Sequence, residues 1–330
     1  MYGKSETTQY EVMRRVRLPL IILVTYAHSY GAIREGYSLL GNGWDTYEIL
    51  KILVSHIMAK VAVPAFYIMS GYLFFAHVEK FTKEVYWQKI RRRIHTLLIP
   101  YIIWNLLMAA KFNSQWPILG EYLIDIFWTP ANMPLWFLRD LMIVSLATPI
   151  IYIGVSKLGW WIVAILFPIY INGIWAIQPE LNPYSVCFFT LGTILSIKKV
   201  DLVETCRRFV IPACILSVIL MIAMIVSYRT EVYMVLLLCF RVTSVVALFG
   251  MSNQWKHSPI CDFGARASYF VYLAHYVLFF RFIDETFLDL FGHSTLSLCT
   301  HYMICPLIKV AFLFVIYYFY RFALTKTIDR

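Results

Sequence analysis

Five basic side chains, Lys60, Arg139, Arg241, Arg281 and Lys309, and two imidazoles, His28 and His275, stand inside long runs of apolar sequence. An ionised group at the middle of a bilayer costs about 2.5–3.5 kcal/mol on insertion scales, so such groups face a cavity or a partner. Few partners are expected, with Asp140 read as the one clear intramembrane acid. An interior rich in cations and poor in carboxylates needs a counter-charge carried in by a ligand, an anion such as a phosphate-bearing donor. It argues against proton- or sodium-coupled transport, which generally places Asp or Glu at the centre of its spans. Lys60, Arg281 and Lys309 have a plainer alternative, in which the side chain snorkels to an interface or bonds carbonyls at a helix end.

The elements that must hold these residues are helices in lipid. Sixty per cent of the 330 residues are hydrophobic, fifteen per cent are charged and the mean hydropathy is +0.68, which a water-soluble globule could carry only with a very large exposed apolar surface. The fold class is therefore all-α, a polytopic membrane helix bundle. Apolar segments at about 17–33, 52–75, 94–110, 133–154, 158–174, 183–197, 209–227, 231–250, 267–290 and 301–322 predict about ten transmembrane helices. No linker or repeat divides the chain, so residues 1–330 are read as one integral membrane domain with a polar amino-terminal tail over about 1–16. That tail lacks the apolar core and cleavage site of a signal peptide, and the first helix is expected to stay in the mature protein.

Lysine and arginine set the orientation, since cytoplasmic loops hold the excess of positive charge. With the amino terminus inside, twenty basic residues fall on the cytoplasmic face; Arg34, Lys51, Lys111 and Arg229 fall on the other, beside Glu35, Asp45, Glu121, Asp125, Glu180 and Glu231. Both termini are thus expected in the cytoplasm. The net charge of +10 is a topology signal and not a nucleic-acid footprint. The seven cysteines lack metal-site spacing and lie mostly in apolar runs, so neither a metal nor a structural disulfide is expected. Pro64 and Pro100 are expected to kink their helices beside a cavity, and Ser70-Gly71 to permit close helix approach.

The first apolar segment reads RLPLIILVTYAHSY and places His28 eleven residues after Arg17, roughly 16 Å along a helix axis and nearly on the same face. An arginine, ten residues and a histidine on the first helix resemble the signature of the membrane-bound acyltransferase type 3 family. Four more blocks follow in the family's order. AKVAVPAFYIMSGYLFF, from Ala59 to Phe75, is similar to its Val-Pro and Ser-Gly-Tyr stretch, with Tyr67 for a phenylalanine. RRRIHTLLIPYIIWN, from Arg91 to Asn105, is similar to its arginine-rich approach to Pro-Tyr, although Thr96 stands where a second arginine is common. PLWFLRDLMIV resembles its Leu-Trp-Phe-Leu-Arg helix, and ASYFVYLAHYVLFF its late histidine helix.

The resemblance implies a bundle of about ten helices in the bacterial inner (plasma) membrane that moves an acyl group, commonly acetyl, from acyl-CoA to a hydroxyl of a cell-envelope polysaccharide or glycolipid. Acyl-CoA is then a co-substrate, no permanently bound cofactor is expected, and the partners are donor, glycan acceptor and membrane lipid. His28 becomes a general base on the acceptor hydroxyl or a transient acyl carrier; a helix-bonding histidine is the plainer reading. His275 orients His28, shares its proton or bonds structurally. Lys60 or Arg139 stabilises the tetrahedral oxyanion, with Arg139 alternatively paired to Asp140 or a lipid phosphate. Arg17 and Arg93 match family positions and are expected to bind the phosphates of the donor. Trp136 is read as an interfacial anchor, with sugar stacking as the alternative. From another class, the same cationic cavity would serve a carrier that exports a glycolipid or anionic metabolite without chemistry; an inactive scaffold is a third reading.

Overall fold

Helices account for nearly all of the regular structure in the computed structural model, which describes residues 4–29, 45–112, 125–171, 182–256, 258–278 and 280–328. Among them there is no strand. Arg34, Glu35, Glu121, Glu180 and Arg330, which enter the charge reading, and the end of the first apolar segment lie outside the described residues. Four helical segments are long and apolar enough to cross a bilayer: Thr46–Phe75, Lys83–Lys111, Glu231–Ser252 and Thr295–Ala323. Two bent pairs raise the number to six, Met133–Leu146 with Thr148–Leu158 at 61° and Leu202–Arg208 with Val210–Val226 at 72°. The first bend falls just before Pro149, which takes an early position in its helix where a missing N–H costs nothing.

By its contacts the chain forms two units, Met1–Ala62 with Val203–Arg330, and Val63–Leu202. In the first unit α1 is Lys4–Arg15, α2 Arg17–Ala27 and α3 Thr46–Lys51, so much of the polar tail is helical. A wide π turn, Ile52–Ile57, and a 3-10 turn, Met58–Val61, follow α3. Lys60 sits in the tight turn. Pro64, four residues on, has no N–H for the Lys60 carbonyl, which accounts for regular helix failing there.

The second unit contains α4, Ala62–Phe75, α5, Lys83–Arg93, and α6, Ile99–Phe112, with a π turn at Ile94–Leu98 between the last two. Pro100 repeats the device, denying a partner to the Thr96 carbonyl inside that turn. Each proline thus follows a turn that departs from α geometry, tighter before Pro64 and wider before Pro100. In the same unit α7 is Trp136–Leu146, α8 Thr148–Leu158, α9 Trp161–Ile171 and α10 Pro183–Ile197. A Cβ on Gly71 of α4 would overlap the Phe189 carbonyl of α10, and one on Gly192 would overlap the Ile68 carbonyl. The two glycines therefore permit a backbone-to-backbone crossing. Trp136 packs edge-on against Tyr184, with ring centroids 5.9 Å apart.

The remaining helices belong to the first unit: α11 Leu202–Arg208, α12 Val210–Val226, α13 Glu231–Ser252, α14 Pro259–Ala274, α15 Arg281–Phe291 and α16 Thr295–Ile328. Leu220 and Met224 of α12 and Leu237 and Phe240 of α13 form one apolar core with Ile52 and Ile57. The predicted segment 267–290 is divided, because α14 ends at Ala274 and α15 begins at Arg281. Arg14 pins α14 to α1 through Asp262 at 2.9 Å. Ser55 donates to the Tyr26 carbonyl at 2.6 Å and bonds the Tyr302 hydroxyl, and Tyr26 donates to the Met303 carbonyl. Those bonds fix the end of α2 against the π turn and α16.

Candidate active site

Two histidines terminate two helices of the first unit. His28 is the C-cap of α2 and His275 the C-cap of α14, where the final carbonyls have no N–H within the helix to bond. Each ring reaches back to its own helix: His28 Nδ1 lies 2.8 Å from the Val24 carbonyl, and His275 Nδ1 lies 2.7 Å from that of Tyr272 and 3.2 Å from that of Val271. A carbonyl only accepts, so both Nδ1 atoms carry the proton and both Nε2 atoms carry the lone pair. His275 Nε2 is 3.3 Å from His28 Nδ1, and the His28 proton is shared between the nearer carbonyl and this second acceptor. The ring centroids are 5.2 Å apart. His275 is buried and His28 part-buried. His28 Nε2 has no protein partner among the described residues. The arrangement is a neutral imidazole, locked by its Nδ1 bonds, with a free basic nitrogen.

Lys60 is an electrostatic neighbour of His28 and of Arg241. It has no carboxylate among the described residues. Arg17 has none either, although its neighbours do: Arg14 pairs with Asp262 at 2.9 Å, and Arg15 with Glu11 at 3.1 Å and the Trp255 carbonyl at 2.8 Å. Of three arginines at the junction of α1 and α2, the protein neutralises two and leaves Arg17. The first unit thus holds four of the expected site residues, Arg17, His28, Lys60 and His275, and brings His28, His275 and Lys60 together.

The second unit holds the other two, Arg93 and Arg139, on the wall of one cavity. Arg139 donates from Nε and Nη2 to Asp140 Oδ1 at 3.1 and 3.0 Å, and from Nη1 to the Trp128 carbonyl at 2.8 Å. The pairing with Asp140, one of the roles open to it from sequence, is present. Arg93 makes one long bond, Nη2 to the Ser70 carbonyl at 3.4 Å, and lies over the Phe74 ring at 5.3 Å.

Asp140 is not the sole acid inside the helical bundle. Glu48 pairs with Lys51 at 2.8 Å and Asp284 with Lys309 at 2.6 Å, all four side chains being largely shielded. Lys309 therefore bonds a carboxylate in place of snorkelling or capping a helix. His301 Nε2 lies 3.0 Å from the other Asp284 oxygen. Asp284, His301 and Cys305 bring metal-type donor atoms within 4.8 Å of one another. The Lys309 ammonium already occupies the position beside the carboxylate that a cation would take. Sequence reasoning misses this cluster, although His301, Cys305 and Lys309 recur every four residues on one helix face, a signal that the sequence does carry.

A family model described as an acyltransferase domain matches residues 15–324 of the chain. The succinoglycan biosynthesis protein ExoH of Rhizobium meliloti (strain 1021) is 26% identical over 310 residues, covering 83% of this chain and 79% of the relative. No solved structure matches it.

Proposed function

The chain belongs to the acyltransferase family whose model spans it, and we propose that it is a membrane O-acyltransferase that moves an acyl group, acetyl in the first instance, from acyl-CoA to a hydroxyl of a cell-envelope glycan or glycolipid. The observation that carries the chemistry is the free Nε2 of His28 beside a lysine that has no carboxylate of its own. The acceptor hydroxyl gives its proton to Nε2 as its oxygen attacks the thioester carbonyl. The resulting oxyanion is stabilised by the Lys60 ammonium, a preorganised positive group in a shielded site. Collapse breaks the carbon–sulfur bond, and the departing thiolate takes the proton back from Nε2. His275 acts through His28, holding its tautomer and ring plane, as the orienting partner of a base does.

Arg17 fits the donor's phosphates, and Arg93 a phosphate of either substrate, because neither is neutralised by the protein. Arg139, already paired, is left out of the oxyanion step. A glycan acceptor draws support from the relative named for succinoglycan biosynthesis. Ten spans with both termini in the cytoplasm of a bacterial inner membrane remain the reading of choice, supported by the basic charge excess, and put Arg17 on the side of acyl-CoA.

The test is transfer by purified protein in lipid nanodiscs supplied with radiolabelled acetyl-CoA and envelope glycolipids of the source cell. Label should enter a glycolipid with stoichiometric release of CoA. If folded protein leaves a range of acyl thioesters untouched, the carrier reading takes its place.

A further inference from the structure

The cavity shared by Arg93 and Arg139 measures about 520 Å³, within the roughly 300–1,000 Å³ of ordinary ligand sites. Its walls are hydrocarbon and aromatic except for the two arginines and Ser145. Two of those three polar groups are committed, Arg139 to Asp140 and Trp128, and the Ser145 hydroxyl to the Leu141 carbonyl. Arg93 is not. A guanidinium has five N–H donors, and this one makes a single long bond among the described residues. A like charge is close by, since Lys89 Nζ lies over the same Phe74 ring at 5.3 Å. A part-buried cation with spare donors, a cationic neighbour and no carboxylate is arranged for an anion.

What lies behind that anion is mostly apolar. Ile94 and Leu98 line the space beside Arg93, and apart from the Trp128 indole N–H no uncommitted side-chain donor or acceptor lines it to meet the amides of a pantetheine arm. Its rim is hydrocarbon as well: Ile94, Phe127, Trp128 and Leu146 are 40%, 39%, 49% and 54% exposed. On a protein with bilayer-length apolar helices, such a rim opens sideways into lipid. The basic residues Arg91 and Arg92, both exposed, mark the watery end.

We infer that this cavity is a binding site for one aliphatic chain of a phosphate-headed membrane lipid, with the phosphate on Arg93 and the chain along Leu98, Met142 and Leu146. The inference stands whether or not acyl transfer is the activity, because it rests on the second unit alone.

Native mass spectrometry of the purified full chain in a neutral detergent tests it. The probes are phosphatidylglycerol, a polyprenyl phosphate, diacylglycerol as the phosphate-free lipid, and palmitoyl-CoA as a soluble anion with the same chain. The wild type should retain a phosphate lipid about tenfold or more over diacylglycerol, the scale of one charge-assisted hydrogen bond. Arg93→Gln should abolish that preference. Met142→Trp, which fills the chain space and keeps Arg93, should lower retention of both phosphate lipids; Ile143→Phe serves the same purpose if that variant does not fold. Polyprenyl phosphate outcompeting phosphatidylglycerol would identify a lipid-linked substrate, and the reverse order a bilayer phospholipid, either supporting the site. Undiminished preference in Arg93→Gln, unchanged retention in a folded cavity-filling variant, or displacement of both lipids by palmitoyl-CoA would overturn it.

Discussion

Two places in the first unit are built from the same residue types and differ by one acid. At the first, His28, His275 and Lys60 meet with no carboxylate among the described residues. At the second, His301 and Lys309 bracket Asp284, which accepts from both at 3.0 and 2.6 Å. The second cluster closes its own charge and needs nothing from outside. The first leaves a basic nitrogen without a protein partner and an ammonium without a carboxylate among the described residues. A buried cation signals a ligand only when the protein has supplied no anion for it, and the two lysines separate on that criterion.

The comparison breaks most readily at the histidines. His28→Ala is expected to lower transfer by about 10³-fold, within the range for loss of a general base. His301→Ala should leave the turnover of folded protein near wild type. Equal losses in CoA-release assays would erase the distinction. The lysines sharpen it. Lys60→Met should reduce kcat by about 10²-fold through loss of oxyanion stabilisation, with little change in thermal midpoint.

Lys309→Met should do the opposite, destabilising the fold by about 3 kcal/mol because Asp284 is left with an uncompensated charge. The double variant Asp284→Asn with Lys309→Met should recover most of that loss, a result read from the coupling in a double-mutant cycle. The smallest effect is expected at the edge of the site, where Arg17→Gln should raise the donor KM by about tenfold with kcat nearly unchanged. Arg14→Gln, which loses a pairing to Asp262, should show in stability and not in KM.

Features carried by local sequence are legible in the residues themselves. Arg17, His28, Lys60 and His275 stand out by charge or imidazole in an apolar run and by ordered motifs, and the fold gathers three of them. Pro64, Pro100 and Gly71 likewise announce the local distortions and the close crossing found at α4, α6 and α10. What depends on pairing across the sequence is hidden. Asp284 and Lys309 are 25 residues apart on different helices, so each looks isolated until α15 and α16 pack together. The helix ends at His28 and His275 escape for a different reason. Apolar residues continue past His275 through Leu278, and hydropathy does not register an imidazole that bonds its own last carbonyls. Arg93 and Arg139 are 46 residues apart, and nothing in the sequence between them places both on one cavity.

The central claim is that His28 Nε2 is the base of acyl transfer. Its most direct test is label transfer from radiolabelled acetyl-CoA to envelope glycolipid in nanodiscs, by wild type and His28→Ala, each with and without added imidazole. The account predicts transfer by the wild type, about a thousandth of it by the variant, and a partial return when imidazole replaces the missing ring. A folded His28→Ala protein that transfers label at the wild-type rate without imidazole would contradict it.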